Sequence, residues 1–390
     1  MRILRLIPTI DAAAGGPSTS IVNSVVAESR TGLDVTVVCA GDSHASGINE
    51  RAMSAMLGAG VEVLEFPRLK RSAKAQTWGL SPRLSVWTIR NLRRFDVVHL
   101  NYVWCFTTIL GSILGRLHGK PVVLTPHESL TSFDVEVTSG NPVKRFLKKL
   151  LRRIILANVD TVIYASSMES LDSRDVPHTS RQIYHPVIDI TPMGTFSEPG
   201  DAEFCLGFLG RIHPKKNLGL IIETLAALNE EQPVRPFRLL VAGGGDAGLE
   251  RELRALAEEL GVGSQITWLG FVDGSGREEL FRGIHVLLMP SRYESFGMSA
   301  AESMAVGVPP IVSRRTGVAS LVEEFDAGII LPEPTVENLA GAVREMAADP
   351  QLRAGYRDRS LIAVNERLSF RVYGIQIKRL YEELDGRLGR

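Results

Sequence analysis

The sequence predicts an α/β protein made of two doubly wound domains, each built on a parallel β-sheet. Short runs rich in Val, Ile and Leu recur along almost the whole chain without clean alternation, as expected of strands buried on both faces. Helical patterns such as 18–30 and 249–260 separate these runs and supply the crossovers. A chain of 390 residues is also too long for one ordinary hydrophobic core.

The strand–helix alternation runs once through each half of the chain. The predicted strands of the first half are 3–7, 34–39, 61–66, 96–100, 121–125 and 161–165. Those of the second half are 205–210, 238–242, 266–269, 285–289, 310–312 and 329–331. A long amphipathic helix is predicted over 369–386.

The alternation pauses between the two series. Residues 186–203 carry three prolines and two glycines and show no sustained period, which is typical of a linker. We therefore predict domains at 1–186 and 204–368, joined by a linker at 187–203. Open α/β sheets bind ligands outside the carboxyl ends of their strands, so residues directly after predicted strands are the functional candidates.

Charge is shared unevenly between the two halves. Lys and Arg number 44, as do Asp and Glu, and the resulting zero net charge argues against bulk binding to nucleic acid. Residues 1–186 hold 22 basic and 15 acidic side chains, a net of +7, whereas 187–390 hold 22 and 29, a net of −7. We expect the first half to attract an anionic partner.

The cysteines and the apolar runs bear on location. Cys39, Cys105 and Cys205 lie far apart and are odd in number, which favours a reducing, cytoplasmic compartment over a disulfide framework. Pro8 and Asp11 interrupt the first apolar run, so it is interpreted as a strand and not as a signal peptide. No run reaches the roughly 18 apolar residues of a spanning helix.

Segment 290–309 follows the strand 285–289 and passes through Gly297 into a helix of small residues. Backbone N–H groups at the start of that helix suit a phosphate. Glu294 lies before the helix and Glu302 inside it, and a carboxylate that accepts two hydroxyl donors suits a ribose or sugar diol. The alternative is that both glutamates are solvated surface charges.

Arg211 and Lys216 follow the strand 205–210 and precede a helix. Cations at the end of a strand and beside a helix N-terminus can form a clamp for a diphosphate. The alternative is that these are ordinary surface cations.

These residues resemble glycosyltransferase family 4. Gly-Arg-x4-Lys at 210–216 and Ser-x2-Glu-x-Phe-Gly-x4-Glu-x-Met-Ala-x-Gly-x-Pro at 291–309 match its motifs, and the likeness extends over essentially the whole chain. The resemblance implies a retaining enzyme of the GT-B fold, with two Rossmann-like domains facing across a cleft, that uses nucleotide sugars. It also implies that the final helix packs back on the N-terminal domain.

The resemblance assigns roles at a donor site. Arg211 and Lys216 would grip the donor diphosphate, and Glu294 would contact the donor sugar. Glu302 would hold the ribose hydroxyls. Further contacts implied are the backbone amides of Phe296, Gly297 and Met298, the turn of Gly243 and Gly244 along the nucleotide, and Phe271 and Val272 beside the base.

The first half offers its own candidates. Gly15 and Gly16 follow the first strand, where glycines let the backbone approach a phosphate; an ordinary turn is the alternative. His127 follows the strand 121–125, where family members commonly have a histidine, and is expected to contact a sugar hydroxyl or the charge developing at the anomeric carbon. Glu128 is a candidate acceptor contact or a surface residue, and His99 a further candidate or a packed residue.

Several motifs of other classes are missing from the sequence. There is no Cys-x2-Cys, His-Glu-x2-His or Asp-x-Asp after a strand, so we expect neither a metal nor a cofactor. The lack of a Walker loop disfavours an ATPase, and the lack of Gly-x-Gly-x2-Gly after the first strand disfavours a dehydrogenase.

Segment 144–156 has the pattern of a basic amphipathic helix. Its six cations fall within one half of the helical wheel, and apolar side chains occupy the other half. Such a helix can lie on an anionic membrane surface. Alternatively, its apolar side packs on the sheet while its charged side faces solvent.

The sequence thus predicts a metal-independent glycosyltransferase that moves a sugar from a UDP- or GDP-sugar to a glycan or polyprenyl-linked acceptor. Surface polysaccharide or glycolipid synthesis, on the inner face of the plasma membrane, is the expected setting. The alternatives are a nucleotide-sugar epimerase of the same fold and a non-catalytic nucleotide-sugar binding protein.

Overall fold

A computed structural model describes residues 1–10, 16–41, 50–69, 78–132, 142–173, 179–187, 199–200, 202–230, 235–272 and 274–388. The chain divides into two compact units. The first comprises Met1–Pro186 together with Phe370–Arg390, and the second comprises Val187–Ser369. Most of the linker predicted at 187–203 lies outside the described residues.

The strands alternate with helices in both units. The strands are β1 Arg2–Ile7, β2 Asp34–Ala40, β3 Glu62–Phe66, β4 Val97–Asn101, β5 Val122–Thr125, β6 Thr161–Tyr164, β7 Thr179–Gln182, β8 Phe204–Leu209, β9 Phe237–Ala242, β10 Ile266–Gly270, β11 Val286–Met289, β12 Pro310–Ser313 and β13 Ile329–Leu331. The α-helices are α1 Gly16–Ser29, α2 Glu50–Gly58, α3 Pro82–Asn91, α4 Phe106–Leu117, α5 Pro142–Ala157, α6 Ser167–Asp172, α7 Leu218–Glu230, α8 Ala247–Glu259, α9 Gly274–Arg282, α10 Met298–Ala305, α11 Ala319–Phe325, α12 Val336–Ala348, α13 Pro350–Ala363 and α14 Phe370–Leu388. Short 3-10 turns occur at Leu92–Arg94, Pro214–Lys216 and Gly263–Gln265, and a π-helical turn at Val364–Leu368.

Both sheets are parallel and have the same strand order. The first runs β3-β2-β1-β4-β5-β6-β7 and the second runs β10-β9-β8-β11-β12-β13. Counted within each unit, the first six strands follow the 3-2-1-4-5-6 order of doubly wound dinucleotide-binding folds. The prediction of two doubly wound parallel-sheet domains is therefore confirmed, and the strand order reverses between β1 and β4 and between β8 and β11.

One strand was not predicted from the sequence. The residues of β7, Thr-Ser-Arg-Gln, are all exposed at the edge of the first sheet. By contrast, β4 and β5 are buried along their whole length and appear in the sequence as continuous apolar runs. A polar edge strand has no such signal because only pairing, and not burial, defines it.

The C-terminal helix α14 is part of the first unit. Its residues Tyr373, Ile377 and Tyr381 belong to the same buried cluster as Ile3 and Ile7 of β1. The opposite face of this sheet is covered by α3, α4 and α5. The first unit thus needs the last helix of the chain to cover one side of its sheet.

Candidate functional site

The loops that follow β8 and β11 meet where the strand order of the second sheet reverses. The backbone N–H of Arg292 donates to the carbonyl oxygen of Lys215 at 2.8 Å. The side-chain amide of Asn217 donates to the carbonyl oxygen of Pro290 at 3.3 Å. Ligands of open α/β sheets bind where the strand order reverses, so this corner of the second sheet is the candidate site.

A lysine pair and a glutamate meet at this corner. Lys216 Nζ lies 2.9 Å from Glu294 Oε1, and Lys215 Nζ lies 3.9 Å from the same oxygen. Both lysines lie on the 3-10 turn after β8, which ends at Asn217 in the left-handed conformation. Arg211, on the same loop, is exposed. The structure thus brings Lys216 and Glu294 together and places Arg211 beside them.

The backbone of Glu294 is fixed by the loop after β12. Its N–H donates to the carbonyl oxygen of Arg315 at 3.0 Å, and its own carbonyl oxygen accepts from the N–H of Gly317 at 2.9 Å. Two bonds in opposite directions hold the residue in register with that loop. The backbone that carries the Glu294 carboxylate is therefore held in place, as a site that orients a substrate requires.

The cations decide the charge of Glu294. Burial raises the pKa of this carboxyl, but Lys216, Lys215 and Arg211 together lower it below its ordinary value. The carboxylate is consequently ionised at neutral pH and still surrounded by an excess of positive charge. Such a cluster can bind an anion through the cations while the carboxylate accepts hydroxyl donors.

Glu302 lies inside α10, where it is buried, and is paired with Arg277 of α9. The distance from Arg277 Nη1 to Glu302 Oε1 is 3.0 Å. Burial raises the pKa of Glu302, and Arg277 offsets only part of the increase. Arg277 was not predicted from the sequence, because a cation on a separate helix, 25 positions from its partner, has no local signal.

Gly297 and the residues beside it form the entry to α10. Gly297 has a φ of 105°, and a Cβ there would lie 3.1 Å from Met289 Sδ. Met298 is the first residue of the helix. The side chain of Phe296 is buried and its carbonyl oxygen accepts from Val318 N–H, so a binding role for Phe296 would fall to its N–H group.

The glycine turn after β9 presses against the loop after β8. Gly243 has a φ of 138°, and a Cβ there would lie 1.8 Å from the carbonyl oxygen of Gly210, whereas a Cβ on Gly244 would meet nothing within 4 Å. The N–H of Gly243 donates to Gly270 O at 2.6 Å, which places the turn next to Phe271 and Val272. Phe271 is exposed. These candidates therefore share one edge of the second sheet.

The candidates of the first unit lie after β4 and β5. His127 is buried, its Nε2 lies 3.2 Å from Asn101 Oδ1, and its ring stacks on that of His185 with centroids 5.1 Å apart. Burial, with help from His185 and Arg5, lowers the pKa of His127 well below its ordinary value. His127 is therefore a neutral hydrogen-bonding group at pH 7.

The remaining candidates of the first unit are the glycine pair after β1 and His99. Gly15 lies outside the described residues, and Gly16 is the first residue of α1. His99 is buried, with Nε2 2.8 Å from Thr125 Oγ1 and Nδ1 2.5 Å from the hydroxyl of Tyr381. His99 is thus a packed residue, which was the second of its two predicted roles.

The basic helix α5 packs on the sheet with only part of its apolar side. Ile155 and Leu156 are buried in the cluster that covers this face of the sheet, whereas Phe146, Leu147, Leu150 and Ile154 are between 36% and 67% exposed. Lys148 instead turns inward, with Nζ 5.1 Å from the ring centre of Trp104. The side chains of Lys144 and Arg145 lie outside the described residues. An apolar stripe flanked by cations therefore faces outward.

The described residues contain neither a metal-binding cluster nor a membrane-spanning helix. Within the described ranges, no group of three or more His, Cys, Asp or Glu side chains could hold a metal ion. None of the helices found in that part of the chain is both long and apolar enough to cross a membrane.

Comparison with known proteins defines the class. The sequence model for glycosyl transferases group 1 matches residues 196–360, and the model for the glycosyl transferase 4-like domain matches residues 15–177. Together these matches cover most of both units. The protein is a glycosyltransferase of the GT-B type. More narrowly, the chain belongs to glycosyltransferase family 4, as its motifs predicted.

Individual relatives agree with this assignment. The D-inositol 3-phosphate glycosyltransferase of Saccharomonospora viridis is 26% identical over 371 residues, covering 87% of this chain and 83% of the relative. The enzyme of the same name from Jonesia denitrificans is 33% identical over 281 residues, covering 67% and 66%.

Solved structures share the fold. Anabaena HepE in complex with UDP and glucose superposes with a TM-score of 0.77 at 18% identity, covering 98% of this chain and 100% of that one. Sucrose-phosphate synthase from Thermosynechococcus elongatus gives 0.74 at 19% identity, covering 99% and 100%.

Proposed function

We propose that the protein is a retaining glycosyltransferase that transfers a sugar from a UDP- or GDP-sugar to a glycan or lipid-linked acceptor, in the synthesis of a surface polysaccharide or glycolipid. The observation that carries this proposal is the Lys216–Glu294 contact, with Arg211 beside it, where the strand order of the second sheet reverses. Anion-binding cations and a hydroxyl-accepting carboxylate are the two groups that a sugar diphosphate requires.

The cations would bind the donor diphosphate. When the bond to the sugar breaks, negative charge grows on the leaving nucleotide, and Arg211 and Lys216 would stabilise it. Preformed charges of this kind typically contribute about 10²–10³ in rate. Glu302, held by Arg277, would accept hydroxyl donors from the ribose. The neighbour in complex with UDP and glucose supports UDP as the first nucleotide to test.

Retention would follow from attack on the face that the nucleotide leaves. The acceptor hydroxyl would form the new bond to the anomeric carbon as the bond to phosphate breaks, and a donor phosphate oxygen would take the hydroxyl proton. This route needs no side-chain nucleophile. Glu294 would orient the donor sugar through its hydroxyls, and His127 would act as a neutral hydrogen-bond partner of a sugar hydroxyl.

The first unit supports an anionic acceptor. Residues 1–186 carry a net charge of +7. The relatives named for D-inositol 3-phosphate act on a phosphorylated polyol, and a polyprenyl phosphate shares that anionic group. A phosphate-bearing acceptor is therefore the chemical class that the charge of this unit favours.

The outward face of α5 supports contact with an anionic membrane. Phe146 and Leu150 are exposed, and so are the cations Lys149 and Arg153. Apolar side chains would enter the headgroup region while the cations meet anionic lipid. Flotation with vesicles of phosphatidylglycerol should recover the wild type, and Phe146→Ser with Leu150→Ser should reduce recovery. Leu171→Ser, at a still more exposed leucine of the same unit, is the control. Equal recovery with neutral vesicles, or none at low salt, would contradict this contact.

A thermal-shift panel of nucleotides and nucleotide sugars tests the donor site. A ligand present at about 100 times its Kd stabilises the native state by about 2.7 kcal/mol, so the right base gives the largest shift. Lys216→Ala should abolish that shift. The stabilising nucleotide sugar is then incubated with and without acceptors. Product formed only with an acceptor supports transfer, conversion without one indicates an epimerase, and binding without turnover indicates a non-catalytic protein.

A further inference from the structure

The turn after β5 has an unusual backbone. His127 and Glu128 have φ values of 49° and 74°, and Tyr102, after the neighbouring strand β4, has a φ of 63°. The ring of Tyr102 lies against that of His127, with centroids 5.0 Å apart. Side-chain-bearing residues adopt this left-handed region only where their surroundings hold them, so something must fix this turn.

A buried carboxylate holds the turn. Glu169 Oε1 accepts from the backbone N–H of Glu128 at 2.6 Å, and Glu169 Oε2 accepts from the N–H of Ala165 at 2.8 Å. Glu169 is buried in α6, and its own N–H donates to Ser166 Oγ at 3.1 Å. The carboxylate thus bridges the end of β6 and the strained turn, using one oxygen for each.

We infer that Glu169 is a positioning residue for His127. The carboxylate of Glu169 fixes the 127–128 turn and thereby keeps the imidazole of His127 against Asn101 and His185. The inference rests on the proposed role of His127 in the transfer reaction. Glu169 acts only through the backbone of the turn.

Because Glu169 accepts one hydrogen bond at each carboxylate oxygen, protonation of Glu169 affects how firmly the turn is fixed. Burial raises the pKa of Glu169 to about 7, although the N–H groups of Glu128 and Ala165 lower it and the Glu128 carboxylate raises it again. Tyr164 also faces Glu169: burial raises the pKa of Tyr164, Glu169 raises it further and Arg152 of α5 lowers it. A protonated carboxyl must donate from one oxygen, so one of the two N–H bonds weakens as the pH falls.

Activity and stability should therefore respond to pH in opposite directions. The turn is best held when Glu169 is ionised, so transfer weakens as the pH falls through about 7. The free energy of unfolding behaves otherwise. Because the folded pKa is raised, this group's contribution to stability is present below its ordinary value of 4.5 and is lost as the pH rises through about 7.

The test compares the wild type with Glu169→Gln across this pH range. Glutamine keeps the shape but offers only one acceptor oxygen at every pH. We expect Glu169→Gln to match the wild type on the acid side, to have a kcat about tenfold lower on the alkaline side and to keep the KM for the donor. Asp160→Asn is the matched control, because Asp160 Oδ2 accepts the N–H of Val122 at the opposite end of the same strand; it should follow the wild-type profile.

Two further measurements keep the inference separate from the proposed function. The unfolding temperature of the wild type minus that of Glu169→Gln should fall as the pH rises through about 7. The imidazole resonances of His127 in the wild type should shift over the same range without protonation of the ring. A wild type that transfers no sugar would refute the proposed function and leave both measurements valid. A Glu169→Gln enzyme with the wild-type profile, or His127 resonances without an inflection, would overturn the positioning role alone.

Discussion

The two sheets share one strand order but place their charges at different depths. In the first sheet, Arg5 lies buried in the middle of the central strand β1, 3.3 Å from Glu28 of α1. In the second sheet, the central strand β8 carries Phe204, Leu206 and Phe208 within an apolar cluster. In the second unit, Lys216 and Glu294 lie beyond the strand ends, and the buried Arg353 belongs to a helix and not to the sheet. The same topology therefore carries a buried ion pair on its central strand in one unit and a charge cluster beyond its strand ends in the other.

The enclosed charges of the first unit select the helix that covers them. Glu28 Oε1 accepts the hydroxyls of Tyr381 at 3.0 Å and Tyr373 at 3.3 Å, both from α14. Arg5 Nη2 donates to Ser24 Oγ at 2.7 Å, and Arg5 Nη1 is hydrogen-bonded to His99 Nδ1. A purely apolar helix would leave these groups unsatisfied, which is costly in a core. We therefore expect the buried charge of the first unit to specify its assembly, and the Lys216–Glu294 cluster of the second unit to serve the proposed donor site.

Glu28→Ala should give the largest effect on stability. It leaves the Arg5 guanidinium buried without its carboxylate, and breaking such a pair typically costs about 3–5 kcal/mol. Urea unfolding followed by tryptophan fluorescence can measure this, since three of the four tryptophans (Trp78, Trp87 and Trp104) belong to the first unit. Glu62→Ala, on the exposed side of β3, is the control. Equal stability of the two variants would contradict the stabilising role of the buried Arg5–Glu28 pair.

Lys216→Ala and Glu294→Gln should act on turnover with little effect on folding. Each removes a charge from the donor site, and we expect kcat to fall by about 10²–10³. Lys215→Ala, whose ammonium lies 3.9 Å from Glu294, should lose less. Turnover of the proposed donor and urea unfolding are measured on the same preparations. Near-normal turnover in Lys216→Ala would contradict the proposed role of the Lys216–Glu294 cluster in donor binding.

Gly243→Ala and Gly244→Ala form a matched pair on the edge of the second sheet. The new Cβ at 243 would lie 1.8 Å from a carbonyl oxygen in a φ region that favours glycine, whereas the one at 244 would meet open space. We expect a loss of about 1–3 kcal/mol for the first and within about 0.5 kcal/mol for the second. The free energy of unfolding of the second unit is the readout. Similar values for the pair would show that the two loops are not in close contact.

Glu294→Gln and Glu302→Gln should change the pH dependence of stability with opposite signs. The lowered pKa of Glu294 gives stability above its ordinary value of 4.5 that is lost as the pH falls. The raised pKa of Glu302 gives stability below 4.5 that is lost as the pH rises. Unfolding curves at several pH values measure both slopes, and slopes of the same sign would contradict the local charge balance.

Prediction from the sequence worked best where the signal is local. The buried run of β4 and the motif from 291 to 309 can each be found without knowing what they touch. Arg277 could not be found, because its meaning comes from Glu302 on another helix. The same holds for Glu169, which is an ordinary helical glutamate until the turn at Glu128 is placed against it.

The sequence by itself determined the two parallel sheets, the residues after each strand and the membership of a glycosyltransferase family, because hydrophobic pattern and motif spacing are properties of neighbouring residues. Only the tertiary structure decided that Arg5 pairs with Glu28, that Tyr381 joins them from the far end of the chain, and that the apolar stripe of α5 faces outward. These are contacts between elements, and their free energy depends on distance and burial, which no local pattern encodes.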